Sequence, residues 1–288
     1  MKKGWVVYDR NQYQKNRWFA DRLHSIGSGF SDMRMVIAED LSYGISAGKP
    51  TLKLQGEPVE LPDFAVIRTI SPFLSSFLEK AGIRLFNRAE IARICNDKRE
   101  TCLLMRQTVP MAETRFCEKR YFDVRTMEKG DFPLVVKSHD GHGGSGVFLA
   151  EEEKELSGIL GEIDGNAFVM QRFLPPGGRD LRVYCLGGEI LGSVLRTSEG
   201  WKSNFSLGGK AELYTTDQKE RELIRSLIGR FPVLPDFIGL DFLVTEKGLL
   251  FNEAEDVVGC RMLYECTELD AAAEYMDYIR KTLEKELP

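Results

Sequence analysis

The chain has 288 residues and a formal net charge of −5, with 43% hydrophobic and 29% charged residues. Those proportions exclude wholesale disorder, and the length allows a sizeable core over about two domains without disulfide or metal staples. The mild acidity argues against a nucleic-acid partner, which calls for a basic domain or stripe.

At the start, the apolar run Trp5 to Tyr8 gives way to Asp9 and Arg10, too short and too polar for a signal peptide. No stretch approaches the ~18 apolar residues of a membrane span. The six cysteines (Cys95, Cys102, Cys117, Cys185, Cys260, Cys266) show no CxxC pair and no zinc spacing. They are expected to be reduced, mostly buried thiols, which points to the cytoplasm.

Gly4 to Tyr8 reads as a strand, Asn16 to Ile26 as a helix on the spacing of Trp18, Phe19, Leu23 and Ile26, and Met33 to Ala38 as a second strand. Tyr43 to Leu61 has many turn residues and no helical period, so a hairpin or extended loop is expected. Phe64 to Ile67 is a third strand. A helix opens at Pro72 and is closed by Gly82; a strand follows over Ile83 to Phe86. This alternation implies a small parallel α/β domain. A helix is expected from about Asp97 to Thr108.

From Phe132 strands dominate: Leu134–Lys137, Val147–Ala150, Ala167–Phe173, Leu181–Leu186, Ile190–Arg196, Phe237–Val244 and Leu249–Glu253. Gly187-Gly188 marks a tight hairpin. Helices are expected at Glu151–Leu160, at Asp217–Gly229 and from about Leu269 onward. The pattern is α+β with antiparallel sheet.

Between the first two of those strands lies Gly141-His142-Gly143-Gly144-Ser145-Gly146. It matches GxGxxG formally, but that dinucleotide fingerprint needs a helix straight after the glycines, and here Val147-Phe148-Leu149 is a strand. A glycine loop between two strands can still cover phosphates with backbone N–H groups, with Lys137 adding a fixed charge. His142 is a candidate for contact with phosphate or substrate. Further on, Asp241, Glu253 and Glu255 fall on two strands flanking the turn Glu246-Lys247-Gly248. A turn centred on Lys247 sets Asp241 opposite Glu253, and the two-residue period puts Glu255 on the same face. Opposed like charges destabilise a strand pair, so three carboxylates on one face call for a cation. Oxygen ligands with no nearby His or Cys suit magnesium. Between loop and hairpin, alternation puts Asp180 and Arg182 on one face, and Arg196 ends the next strand. Such arginines suit transferring phosphate oxygens.

Taken in order from about Asp63 to Tyr264, these pieces resemble the ATP-grasp superfamily, and within it the RimK-type α-L-glutamate ligases. Asn96-Asp97-Lys98 is similar to the opening of that family's nucleotide-binding part, and Val109-Pro110 through Thr114 to its hydrophobic-Pro-x-x-x-Thr stretch. Arg179-Asp180-Leu181-Arg182 resembles its Asp-Ile-Arg, and Lys202-Ser203-Asn204 its Arg-Ser-Asn. The resemblance implies an ATP-grasp fold behind an N-terminal parallel α/β domain, with divisions at residues 1–95, 96–172 and 173–288. It implies Lys98 and Lys137 on ATP phosphates, and Gln171, Arg172 (chiefly through its backbone) and Phe173 around adenine. Asp180 would lie near the nucleotide or the sugar. Arg182, Arg196 and Asn204 would face the transferring phosphoryl group, and Asp241 and Glu253 would hold magnesium. Two positions depart from the family: Arg172 stands where a Glu is usual, and Glu255 where an Asn is usual.

The expected activity is an ATP-dependent carboxylate–amine ligase working through an acyl-phosphate, adding an amino acid such as glutamate to a small molecule or peptide. A catalytically inactive ATP-binding regulatory module is the competing reading, and a homo-oligomer is left open. Arg10 and Arg68, each just past a strand end, and Arg261, just past the acidic strand, are candidates to hold a substrate carboxylate.

Overall fold

The computed structural model describes residues 1–144, 146–174, 178–198 and 210–286. It begins with β1 (Lys3–Tyr8), α1 (Arg10–Lys15), α2 (Arg17–Gly27) and β2 (Asp32–Ile37). Helix α1 escapes a reading based on apolar period because it buries no residue; its start is fixed by the Asp9 carboxylate, which accepts from the Gln12 N–H. A hairpin follows, β3 (Leu41–Ser46) and β4 (Lys49–Leu54), with the short β5 (Glu57–Pro58). Then come β6 (Phe64–Ile67), α3 (Pro72–Lys80), β7 (Arg84–Phe86) and α4 (Ala89–Cys95).

β1, β2, β6 and β7 pair in parallel in the order β2-β1-β6-β7. The chain leaves β1 on one side to form β2 and returns on the other to form β6. The carboxyl ends of β1 and β6 therefore flank the switch point of the sheet, the place where open α/β sheets take ligands. Side-chain alternation sends Val6, Tyr8, Phe64 and Val66 to one core and Trp5, Val7, Ala65 and Ile67 to another. The first core is shared with α2 and the C-terminal helix; the second is closed by α3 and the β3–β4 hairpin.

The middle of the chain supplies α5 (Lys98–Met105), β8 (Thr114–Glu118), β9 (Leu134–Ser138), β10 (Val147–Ala150), α6 (Glu153–Glu162) and β11 (Ala167–Arg172). Its strands run antiparallel in the order β10-β9-β11-β8, over a core that includes Val136, Leu156, Phe168 and Met170. β8 was not foreseen: its half-exposed run lacks clean alternation.

Last come β12 (Arg179–Leu186), β13 (Glu189–Thr197), β14 (Lys210–Leu213), α7 (Gln218–Ile228), β15 (Phe237–Thr245), β16 (Gly248–Glu255), α8 (Arg261–Cys266) and α9 (Ala271–Lys285). The sheet order is β14-β13-β12-β15-β16, antiparallel throughout. One face packs Leu181, Val183, Leu240, Phe242 and Phe251 with α7, and the other carries the charged residues. Helix α9 lays Tyr275, Met276, Ile279 and Leu283 against α2 and the parallel sheet, so the chain's end closes the first core. All six cysteines are free thiols. Among the described residues no helix is long and apolar enough to cross a membrane.

Candidate active site

The acidic hairpin is built around an irregularity. β15 and β16 pair Thr245 with Gly248 and Phe242 with Phe251, so the turn centres between Glu246 and Lys247. The register then shifts by one residue, and Asp241 lies opposite Glu253, Gly239 opposite Glu255. Asn252 is the extra residue of a β-bulge. Without it Asp241 would face Asn252, and Glu253 and Glu255 would point to the other side of the sheet. Burial of Phe251 and Ala254 on the same core face, three residues apart, fixes this arrangement. Exposing a side chain of the size of Phe251 would cost about 1.5–3 kcal/mol.

The bulge brings Asp241, Glu253 and Glu255 together: one carboxylate oxygen from each lies within 4.8 Å of the others. Asp241 is directly opposite Arg182 on β12, and Asp180 is directly opposite Arg196 on β13. Cross-strand pairing thus becomes a buried ionic lattice. Arg182 Nε donates to Asp241 Oδ1 at 2.7 Å, and its Nη2 donates to Asp241 Oδ2 at 2.6 Å and to Glu255 Oε1 at 2.7 Å. Arg196 grips Asp180 and also donates to Asp241 Oδ2 at 2.9 Å. Burial alone would raise Asp241, but the Arg182 and Arg196 guanidiniums overcome it and hold the carboxyl down at about 2. For Glu255 and Asp180 burial wins, and both sit above the ordinary carboxylate range despite their arginines.

The cations that three facing carboxylates call for are therefore, in part, the protein's own. Asp241 Oδ1 keeps a second lone pair, whereas Oδ2 already accepts from both arginines, and Glu253 has Lys98 Nζ no nearer than 3.6 Å. An oxygen-only set of this kind fits a hard divalent cation.

Lys98 and Lys137 stand over this wall. Lys98 is the first residue of α5, whose cap is Asp97, and its N–H donates to His139 O at 2.9 Å. Its ammonium donates to Gly141 O in the glycine loop. Lys137, at the end of β9, donates to the side chain of the bulge residue Asn252 at 2.8 Å. Burial pulls the Lys137 ammonium down to about 8, with Lys98 adding to the effect and Glu253 opposing it. Asn252 was not singled out from sequence; a lone Asn between two strand residues carries no signal until the bulge turns it.

In the loop, Gly143, Gly144 and Gly146 take φ of +63°, +77° and +69°. These are left-handed values that favour glycine. A Cβ at Gly143 would meet nothing within 4 Å. His142 is partly buried, and burial followed by the Lys98 charge lowers its pKa. Ser145 and Asn204 lie outside the described residues.

Gln171 is buried, with its amide donating to Thr114 Oγ1 at 3.1 Å. The N–H groups of Arg172 and Phe173 donate to Glu113 O and Pro133 O at 3.0 and 3.1 Å. Both N–H groups are thus already used within the protein. The Arg172 side chain is exposed, 3.5 Å from Gly130 O.

The three other arginines part company. Arg10 heads α1, where its guanidinium holds Asp40 at 2.8 Å and its N–H donates to both Glu39 oxygens at 3.0 Å. Arg261 is exposed at the start of α8. Arg68 is buried, and its Nη2 donates to Val258 O at 2.7 Å. It is therefore tied to the segment that follows the acidic strand. That segment is fixed further by Asn96, which donates to Asp256 at 2.8 Å, and by Tyr184, which donates to Gly259 O at 3.1 Å. Burial pushes Asp256 up to about 6. Gly239 makes room for the segment, since a Cβ there would lie 2.6 Å from Val258 Cγ2.

Comparison with known proteins gives the same answer as the geometry. N-acetylaspartylglutamate synthase A of Mus musculus is 30% identical, over 97% of this chain and 78% of its own length. The glutamate–LysW ligase ArgX of Sulfurisphaera tokodaii is 28% identical, over 77% of this chain and 83% of its own. The D-alanine–D-alanine ligase of Bacillus anthracis, solved with ATP, shares the fold: TM-score 0.71 at 15% identity, covering 99% of this chain and 98% of that one. A RimK-like ATP-grasp domain matches residues 95–279. That match spans more than half the chain, which belongs to the RimK-like ATP-grasp family and is an ATP-dependent, ADP-forming ligase that joins a carboxylate to an amine.

Proposed function

We propose that this ligase adds glutamate to a second small molecule or peptide, in the cytoplasm, with magnesium-ATP as the energy source. Support for glutamate comes from the relatives, whose names join it to N-acetylaspartate in one case and to LysW in the other. The observation that carries the catalytic part is the bulged hairpin, which gathers three carboxylates beneath two lysines.

Lys98 and Lys137 hold the nucleotide phosphates, and the backbone N–H groups of Gly141 to Gly146 close over them. Gln171, Arg172 and Phe173 border the base. Asp241, Glu253 and Glu255 are the residues that would hold magnesium, which when bound neutralises charge on the phosphate oxygens. Glu253 is the most available of the three, because it is free of the arginine lattice. Phosphoryl transfer from ATP to a substrate carboxylate gives an acyl-phosphate and ADP. Attack by the amine at the acyl carbon then forms the amide and releases phosphate. The protein's share is positioning and charge: Arg182 and Arg196 keep Asp241 ionised and oriented, and the loop excludes water from the acyl-phosphate.

The test is product identification. Purified protein with magnesium-ATP, L-glutamate and a panel of small carboxylates and amines should release ADP in step with an amide containing glutamate, read by mass spectrometry. ADP release with an amide lacking glutamate would overturn the substrate assignment.

A further inference from the structure

We propose that Tyr8 and Arg68 form a recognition site for a carboxylate that the substrate keeps through the reaction. The inference rests on the ligase reading and extends it to the parallel sheet. Tyr8 ends β1 and Arg68 directly follows β6, so the two side chains sit at the switch point of that sheet.

Arg68 is only 5% exposed, and arginine keeps its charge in any protein environment. Its Nη2 is used by Val258 O, and the Phe19 ring lies 5.4 Å from its central carbon. Its Nε has no hydrogen-bond partner, nor does the Tyr8 hydroxyl, and both are shut off from water. Among the described residues Arg68 makes no ion pair. The neighbouring acid, Asp256, is held by Asn96 instead.

A buried, unpaired guanidinium is costly for a fold to keep, and its planar fork matches a carboxylate. The Tyr8 hydroxyl, close enough to interact with the guanidinium, adds a further donor. The position also suits the chemistry. Arg68 holds Val258, three residues past Glu255, so at most about 11 Å of extended chain separates its anchor from the acidic strand. A substrate fixed here by one carboxylate can present its reacting end to the phosphates. The surface is one ring away: Tyr13 packs edge-on against Tyr8 at 6.3 Å and lines an open cavity of about 480 Å³ with Arg10, Gln14 and Arg17.

The competing account makes Arg68 a strut for the Val258 segment and nothing more. Tyr8→Phe separates the two, because it removes the hydroxyl while leaving the Arg68–Val258 hydrogen bond in place. L-glutamate, L-aspartate, succinate and citrate are titrated calorimetrically onto full-length protein saturated with magnesium and a non-hydrolysable ATP analogue. The expected result is saturable binding of at least one of them, weakened about tenfold or more in Tyr8→Phe and in Arg68→Lys, with the Kd for ADP and the melting temperature of Tyr8→Phe unchanged. Binding that is equal in wild type and Tyr8→Phe would overturn the proposal, as would failure of all four to bind wild type. A probe that binds and weakens as expected while no amide forms would instead count against the ligase reading alone.

Discussion

On the five-stranded sheet, Asp180, Asp241 and Glu255 are each gripped by Arg182 or Arg196, and all of these groups but the half-buried Glu255 are buried. Across from them, the β9–β10 loop carries glycines at positive φ and is held to the rest of the site by the Lys98–Gly141 contact. One region has its charges compensated and locked before any ligand arrives. The other presents backbone donors on a segment with little side-chain mass. On the proposed reading, the first region supplies preorganised charge and the second a cover for the nucleotide.

If the lattice is a unit, Asp241→Asn should produce the largest effect. It leaves two buried guanidiniums short of their shared anion, with an expected loss of about 3–5 kcal/mol in urea unfolding and of all measurable turnover. Glu253→Gln should split stability from activity. Glu253 stands outside the lattice, so turnover should fall by about 10²–10³-fold while the unfolding midpoint holds. Equal destabilisation by the two substitutions would break the comparison. Asn252→Ala probes the seam between the regions. Losing the partner of Lys137 should raise the Kd for ADP about tenfold, the equivalent of about 1.4 kcal/mol.

Smaller effects come from the loop and from outside both regions. Gly144→Ala introduces a Cβ at a φ of +77°, a strain of about 1 kcal/mol, and should slow turnover several-fold with Asp241 and its arginines undisturbed. Asp270 joins α9 to α2 through Arg22; that hydrogen bond, against a smaller opposing effect of burial, lowers its carboxyl to about 2. A depressed carboxyl stabilises the fold above the ordinary value near 3.8 and loses that contribution as pH falls through about 2. Acid unfolding of Asp270→Asn should lack this component, which is about 1 kcal/mol or less for so exposed a pair.

Much of this was legible in the residues. Period-two alternation put Asp180 and Arg182 on one face, and glycine placement found the loop between β9 and β10. The pairing of Asp241 with Glu253 was foreseen from a turn centred on Lys247. The observed turn is half a residue earlier and the Asn252 bulge restores the pairing, so two deviations cancel. A bulge is a property of the ladder and leaves no trace in the apolar pattern, which is why Asn252 and its hold on Lys137 went unseen. The mutual grip of the arginines and acids was equally hidden, since it depends on which strands become neighbours. α1 and β14 were missed for a simpler reason: α1 buries nothing, β14 is an exposed edge strand, and neither has an apolar stripe to read.

The central claim is that Glu253, held apart from the arginine lattice, serves the nucleotide. Its most direct test is ADP release from purified protein with magnesium-ATP and pools of amino acids and small carboxylates, wild type beside Glu253→Gln. The account expects release that depends on a carboxylate and an amine together and disappears in the variant while its fold is retained. Release at the same rate in both proteins would contradict it.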